Sequence, residues 1–319
     1  MRWRKLGRVF DPRDVTLPDG CDVFAQAPQV IEFPDFLRVF FSTRSVDERS
    51  GKYLSHVAYV DIDRSLRGIR SVGEREVLPL GGLGCFDEHG IFPMSVVRHG
   101  DEILGYTTGW SRRTSVSVET AIGLAVSRDG GVTFERKGPG PVLAASPREP
   151  FLVGDGFVRV VGGTFHMWYI FGTDWRRPSP VAPPERTYKI GHAVSLDGVA
   201  WTREDGRRII SDRLGPDESQ ALPTVIEIDG RHHMYFCYRE SVDFRTNAVR
   251  SYRIGHAVSD NLRDWARDDD DPLPLGGPGE WDAEMQCYPH VFESDGRVFM
   301  LYNGNGFGRF GFGAAVLEP

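Results

Sequence analysis

The chain is poor in cysteine, carries no excess of positive charge and has no long apolar run. Each absence removes a class. The four cysteines, Cys21, Cys85, Cys237 and Cys287, lie far apart and form no CxxC pair. This argues against a disulfide scaffold and predicts a reduced, cytoplasmic protein. No His/Cys spacing marks a zinc site, so no metal ligands are assigned. A formal net charge of -7 argues against general nucleic-acid binding. No segment is apolar for long enough to span a bilayer. The opening MRWRKLGRVFDP has no apolar core and no small-residue cleavage site, so it does not read as a signal peptide.

What the chain does have is a repeat. The segment IGLAVSRDGGVTFER from Ile122 returns as IGHAVSLDGVAWTR from Ile190 and as IGHAVSDNLRDWAR from Ile254. A fragment, FGAAVLE, starts at Phe312, and a more divergent copy, SHVAYVDIDRS, starts at Ser55. Each copy follows an apolar-aromatic segment such as FHMWYIF from Phe165 or HHMYFCYRE from His232. Aligning these segments brings Pro28, Pro93, Gly156, Pro223 and Pro289 into one register, 63 to 67 residues apart. A unit of that length cannot bury its own apolar faces, so the copies must pack on one another.

Each unit reads as four strands. The first follows the register mark, the second is the aromatic segment, and the third is the G-x-A-V-S segment. The fourth begins at Phe134, Trp201 or Trp265. Turn pairs separate them, among them Asp229-Gly230, Asp295-Gly296 and Gly162-Gly163. With 37 glycines and 21 prolines, the chain suits many short strands joined by tight turns. The expected fold is an all-β, five-bladed β-propeller with four antiparallel strands per blade, one domain over residues 1–319. The last unit runs out of chain after its third strand. The segment WRKLGRVF resembles the fourth-strand segments, so residues 1–12 are predicted to complete the fifth blade and lock the ring.

Acids recur just before the register mark. Asp22 stands in unit one, Asp87 and Glu88 in unit two, and Glu149 and Asp155 in unit three. Asp217 and Glu218 stand in unit four, and Glu284 in unit five. Any one of these could be a solvated loop acid or a turn cap. The shared register places a ring of carboxylates near one axis, where repulsion requires a metal, a cation or a proton to offset it. Carboxylates there suit a hard cation, so an axial calcium ion is compatible with the pattern, although no cofactor is required by it. Two carboxylates facing one pocket are also what glycosidic cleavage needs, one protonated and one ionised.

The acids before each first strand, the Arg148-Glu149-Pro150 triplet and the ending YNGNGFG-x-x-GFGAA resemble the five-bladed propeller glycosidases. These include family 43 arabinosidases and xylosidases, family 32 fructosidases and family 130 mannoside phosphorylases. The resemblance covers the whole chain at the level of fold. It implies that Asp22 is the base or nucleophile and that Glu218 is the general acid. It also implies that Glu149 supports the transition state or adjusts the acid, although the related triplet carries the shorter aspartate. Asp87, Glu88, Glu284, Arg148 and His290 are assigned to substrate binding. Trp281 is either a sugar platform or core packing. His192 and His256 occupy matching third-strand positions away from the axis and read as structural.

Arginines mark the turns between second and third strands in every unit. They include Arg44, Arg176, Arg177, Arg186, Arg239, Arg245 and Arg309. Guanidinium groups bind phosphate and carboxylate in a bidentate manner. Either they select an anionic substrate, such as an acidic glycan, a sugar phosphate or a nucleotide-sugar, or they pair with surface acids. Arg176, Arg177, Arg239 and Arg309 are assigned to the first role. The resulting expectation is a glycoside hydrolase-like enzyme. The alternatives are a phosphorylase or transferase on the same fold, or a sugar-binding propeller without catalysis.

Overall fold

The computed structural model describes residues 2–268 and 273–318. The expected domain ends, Met1 and Pro319, lie outside the described residues. Among the described residues all the regular structure is β apart from two short 3-10 turns, Pro12–Asp14 and Ala248–Arg250. The opening strand is β1 (Arg2–Phe10). Group one is β2 (Val23–Glu32), β3 (Leu37–Asp47), β4 (Lys52–Ile62) and β5 (Ile69–Val72). Group two is β6 (Gly90–His99), β7 (Glu102–Arg112), β8 (Val118–Ser127) and β9 (Glu135–Arg136). Group three is β10 (Val153–Val161), β11 (Thr164–Arg176), β12 (Glu185–Ser195) and β13 (Thr202–Arg203). Group four is β14 (Glu218–Ile228), β15 (Arg231–Glu240), β16 (Arg253–Ser259) and β17 (Ala266–Arg267). The last group is β18 (Cys287–Ser294), β19 (Arg297–Asn303) and β20 (Phe312–Glu318).

Within every group, neighbouring strands are antiparallel. Groups one and two are joined by a single parallel bridge, Ser55 to Gly90. β1 pairs antiparallel with β20, placing Trp3 opposite Leu317 and Lys5 opposite Ala315. The N-terminal strand therefore supplies the fourth member of that four-stranded sheet, in the order β1-β20-β19-β18.

The turns follow from residue chemistry. Asp229-Gly230 and Asp295-Gly296 both have positive φ at each position, as a two-residue hairpin of the primed type requires. The aspartate or asparagine in the repeat has a local task. Asp129, Asp197 and Asn261 each accept two backbone N–H bonds from the turn leading to the fourth strand.

The register mark has a structural cause. The pairing of first and second strands slips at the same place in every group: Gln26/Gln29, Ile91/Met94, Gly154/Phe157, Ala221/Thr224 and Cys287/His290. A bulge leaves a residue unpaired, so a proline without an N–H is tolerated there. The preceding residue has positive φ in four groups, at Ala27, Asp155, Leu222 and Tyr288, and Phe92 holds the matching position in group two.

Aromatic and branched side chains fill the spaces between consecutive groups. Phe40 and Tyr59 of group one pack with Met94 and Phe134 of group two. Leu104 and Tyr106 pack with Phe165 and Met167 of group three. Trp168 and Ile190 meet Val225 and Phe236 of group four. Tyr235 meets Met300, Tyr302 and Trp3 of the last group, whose Phe299 and Phe312 return to Val39 and Phe41. The first strands contact one another in the same cyclic order. Among the described residues, no helix is long and apolar enough to cross a membrane.

Candidate active site

The first strands and the turns between second and third strands enclose a cavity of about 510 Å³. Its floor carries Phe92, Asp155, Leu222 and Tyr288 from the bulge positions. Its walls are aromatic, with Phe24, Tyr53, Trp110, Tyr188, Phe244 and Tyr252. Five arginines line it: Arg44, Arg186, Arg239, Arg245 and Arg309. Asp155 is the one carboxyl in the lining.

Asp155 is buried, and Leu222 N donates to its Oδ2 at 3.4 Å. Its own N–H donates to Thr108 Oγ1 at 2.7 Å, fixing the bulge. Burial raises its pKa to about 7, against the lowering effects of the Leu222 bond and the Arg186 charge. A carboxyl poised there can give or take a proton near neutrality.

The arginines differ in their commitments. Arg245 forms an ion pair with Glu185. Arg44 Nε donates to Gln26 Oε1 at 2.8 Å, and Arg186 Nη1 to Ser117 Oγ at 3.1 Å. Arg239 is only 1% exposed and lies 3.5 Å from the centroid of the Phe244 ring. Arg309 is exposed. Of the arginines assigned to binding, Arg239 and Arg309 reach the cavity and Arg176 and Arg177 do not. Arg176 pairs with Asp174 and Asp217, while Arg177 is exposed and donates to Ala182 O. Arg148 is exposed outside the cavity.

The recurring acids lie elsewhere, and they share a contact. Asp87 meets Arg136 of β9 at 2.5 Å, and Glu149 meets Arg203 of β13 at 2.9 Å. Glu218 meets Arg267 of β17 at 2.6 Å, and Asp282 meets Lys5 of β1 at 2.7 Å. In each case the acid before the first strand, or at its start, holds a cation on the fourth strand of its own sheet. All four acids are essentially buried. Asp87, Glu149 and Glu218, expected around one pocket, are thus each paired within their own sheet and do not line the cavity, and Asp282, which the sequence reading did not single out, takes the same place in the last sheet.

Glu218 has four donors. Arg267 and Gln220 serve Oε1, and the backbone N–H groups of Arg213 and Leu214 serve Oε2. Glu149 Oε1 accepts from Tyr169 and from Gly206 N. Group one departs from the pattern: buried Cys21 precedes an exposed Asp22, and His56 meets Glu76 at 2.6 Å. Burial, helped by Glu76 and Asp22, pushes the Cys21 thiol up to about 12. Glu88 accepts from Gly84 N, and Glu284 is exposed. Neither lines the cavity, nor do Asp22, Glu149 and Glu218.

Trp281 packs on Tyr302 with ring centroids 5.1 Å apart, outside the cavity, which gives it the packing role. His290 also lies outside the lining. Its Nε2 accepts from Val30 N at 3.1 Å, tying the last group to the first, and burial lowers its pKa to about 3. The lining does not fit an axial calcium ion. It offers one carboxyl, raised toward neutrality, among five guanidinium groups. Among the described residues no three His, Cys, Asp or Glu side chains are grouped to hold a metal ion.

All five cavity arginines belong to the set expected in the turns between second and third strands, but Arg44, Arg186 and Arg239 lie within β3, β12 and β15, and only Arg245 and Arg309 lie between strands. The aromatic wall was not among the expected site residues, and Asp155 stood there only as one acid of a recurring set. The missed signal was asymmetry: the position before the register mark is Ala27, Phe92, Leu222 or Tyr288 elsewhere, and aspartate only here.

Several solved structures share this fold. A glycoside hydrolase aligns over 99% of this chain and 91% of its own, with 16% identity and a TM-score of 0.74. A thermostable family-43 glycoside hydrolase aligns over 94% and 91%, with 14% identity and a TM-score of 0.65. The β-1,2-mannobiose phosphorylase of Listeria innocua aligns over 99% and 96%, with 12% identity and a TM-score of 0.67. These likenesses show the fold, that of the propeller glycoside hydrolases and phosphorylases. No family model matches the chain. Two proteins of Mycobacterium tuberculosis strains, Uncharacterized protein MT1551 and Uncharacterized protein Rv1502, are each 36% identical over 320 residues, covering 100% of both chains. The chain belongs to their family.

Proposed function

We propose that this chain is a single-domain, five-bladed propeller enzyme acting on an anionic, sugar-containing substrate in its axial cavity. The observation that carries this reading is the lining: one protonatable carboxyl, Asp155, faces five arginines across aromatic walls. Aromatic faces suit the C–H faces of a sugar ring, and guanidinium groups suit an acidic substituent. A protonated Asp155 donates to the oxygen of the bond being broken and is left as a carboxylate beside Arg186.

Hydrolysis by a carboxylate pair needs a second acid in the same cavity. The expected partners, Asp22 and Glu218, stand outside the lining, and Glu218 is bound by four donors. This favours group transfer or phosphorolysis, where the second reactant brings its own nucleophile. All four cysteines are free thiols, which supports a reducing compartment such as the cytoplasm.

The test is mass-spectrometric turnover of neutral glycosides, acidic oligosaccharides, sugar phosphates and nucleotide-sugars, with and without phosphate. Product formed by the wild type and lost in Asp155→Asn supports the reading. Equal turnover by Asp155→Asn removes Asp155 from the chemistry. Binding without product in every arm makes the chain a sugar-binding propeller.

A further inference from the structure

Four cavity arginines, Arg44, Arg186, Arg239 and Arg309, have no carboxylate ion-paired to them among the described residues. Arg239 is the buried one. Its Nη1 donates to Glu240 O at 2.7 Å and its Nη2 to the Tyr188 hydroxyl at 2.9 Å. Its Nε–H has no hydrogen-bond partner among the described residues. A guanidinium taken from water without a counter-ion costs several kcal/mol, and an anion in the cavity would offset that cost.

The neighbouring phenols add a second uncommitted donor. The Tyr188 and Tyr252 oxygens lie 2.7 Å apart and share one hydrogen bond. Tyr188 also accepts from Arg239. Two hydroxyls carry two protons, and the shared bond uses one. Whichever phenol donates, the other keeps a proton with no acceptor among the described residues. Burial pushes the Tyr252 hydroxyl's pKa well up, so it holds its proton. A buried N–H and a buried O–H thus stand together in the cavity wall with nothing to receive them.

Charge selects the ligand. A single guanidinium fork satisfies a carboxylate, whereas a phosphoryl group offers three oxygens and close to two negative charges. Four unpaired guanidinium groups against one carboxyl match the second better. Building on the anionic-substrate reading above, we infer that the cavity seats a phosphoryl group, free or esterified to sugar, on Arg239 Nε–H and the Tyr188–Tyr252 hydroxyls, with Arg44, Arg186 and Arg309 around it.

Calorimetric titration with four probes tests this: inorganic phosphate, a hexose 1-phosphate, methyl glucuronide and a neutral methyl hexoside. The wild type is expected to bind a phosphate-bearing probe at least about tenfold tighter than methyl glucuronide. Arg239→Gln is expected to weaken that binding by about tenfold to a hundredfold, the range for a charged hydrogen bond. Arg309→Gln, at an exposed position that leaves the core intact, is expected to weaken it several-fold and serves if Arg239→Gln does not fold. Tight inorganic phosphate means a free ion, and tight hexose 1-phosphate alone means an esterified group. Methyl glucuronide binding as tightly as both overturns the phosphoryl assignment and leaves the anionic reading standing. The neutral hexoside binding as tightly as every anion overturns both. Unchanged phosphate binding in Arg239→Gln and Tyr252→Phe overturns the proposed seat.

Discussion

Replacing Glu218 by glutamine separates two roles for this residue. Its carboxylate receives Arg267 and Gln220 on one oxygen and two backbone N–H groups on the other. A glutamine of the same size has one acceptor end and one donor end. Turned one way, its NH2 faces the backbone N–H groups of Arg213 and Leu214 and leaves both unsatisfied, at ~1–3 kcal/mol each. Turned the other way, it faces the Arg267 guanidinium, 5% exposed, and leaves a buried ion pair broken, at ~3–5 kcal/mol. Either orientation gives an expected destabilisation of about 3 kcal/mol or more. Urea unfolding followed by tryptophan fluorescence measures it. Adding Arg267→Met should restore part of the loss, because glutamine can then turn its oxygen to the backbone with no buried charge left over. A loss below ~1 kcal/mol, together with abolished turnover, would refute this reasoning and return Glu218 to the catalytic role that its resemblance implies.

Asp155 makes stability depend on pH. Its pKa rises from 3.8 to about 7, so between those values the unfolded chain releases a proton that the folded chain keeps. Stability therefore falls as pH rises from about 4 to about 7 and is level above that. Asp155→Asn should match the wild type at pH 4 and exceed it at pH 8, by up to ~4 kcal/mol. Equal stability of the two proteins at pH 8 would count against the raised value. Turnover that uses protonated Asp155 should decline through pH 7. Removing the buried Trp3 side chain, which meets Tyr235 edge-on across the junction of the last two groups, should cost ~3–5 kcal/mol by Trp3→Ala in the same urea assay. A cost under ~1 kcal/mol would mean that β1 does not hold the sheet order closed.

The sequence made the fold legible and the site only half legible, for one physical reason. Whatever repeats in all units is under the same demand in each, and that demand is architectural. Pro28, Pro93, Pro223 and Pro289 mark a bulge where no N–H is needed. The recurring Asp129 and Asp197, with Asn261, cap a turn. Asp87, Glu149 and Glu218, with Asp282 in the last group where the sequence pattern pointed to Glu284, tie the outer strand to the entry in four of the five groups. A shared register is thus evidence for a shared structural task, even where repulsion between like charges also points to chemistry. The partner cation lies about 50 residues away in the chain, so no local pattern reveals the pair.

A cavity on an axis of repetition becomes selective only where the repeat is broken. The residue before the register mark is Ala27, Phe92, Leu222 or Tyr288 in four groups and Asp155 in the fifth, and all but Ala27 line the cavity. Arg239 sits in an aromatic second strand, and its matching position holds Arg44 in group one but Gly109, Gly172 and Asn305 in the other groups. Group two supplies no arginine to the lining and gives Trp110 and Thr108 instead. A substrate held there meets hydroxyls and an indole from one group and guanidinium groups from the other four. That asymmetry fixes orientation in a way no symmetric ring of acids could. A bound ligand whose acidic group faced group two would contradict this order, since nothing on that wall carries a positive charge into the cavity.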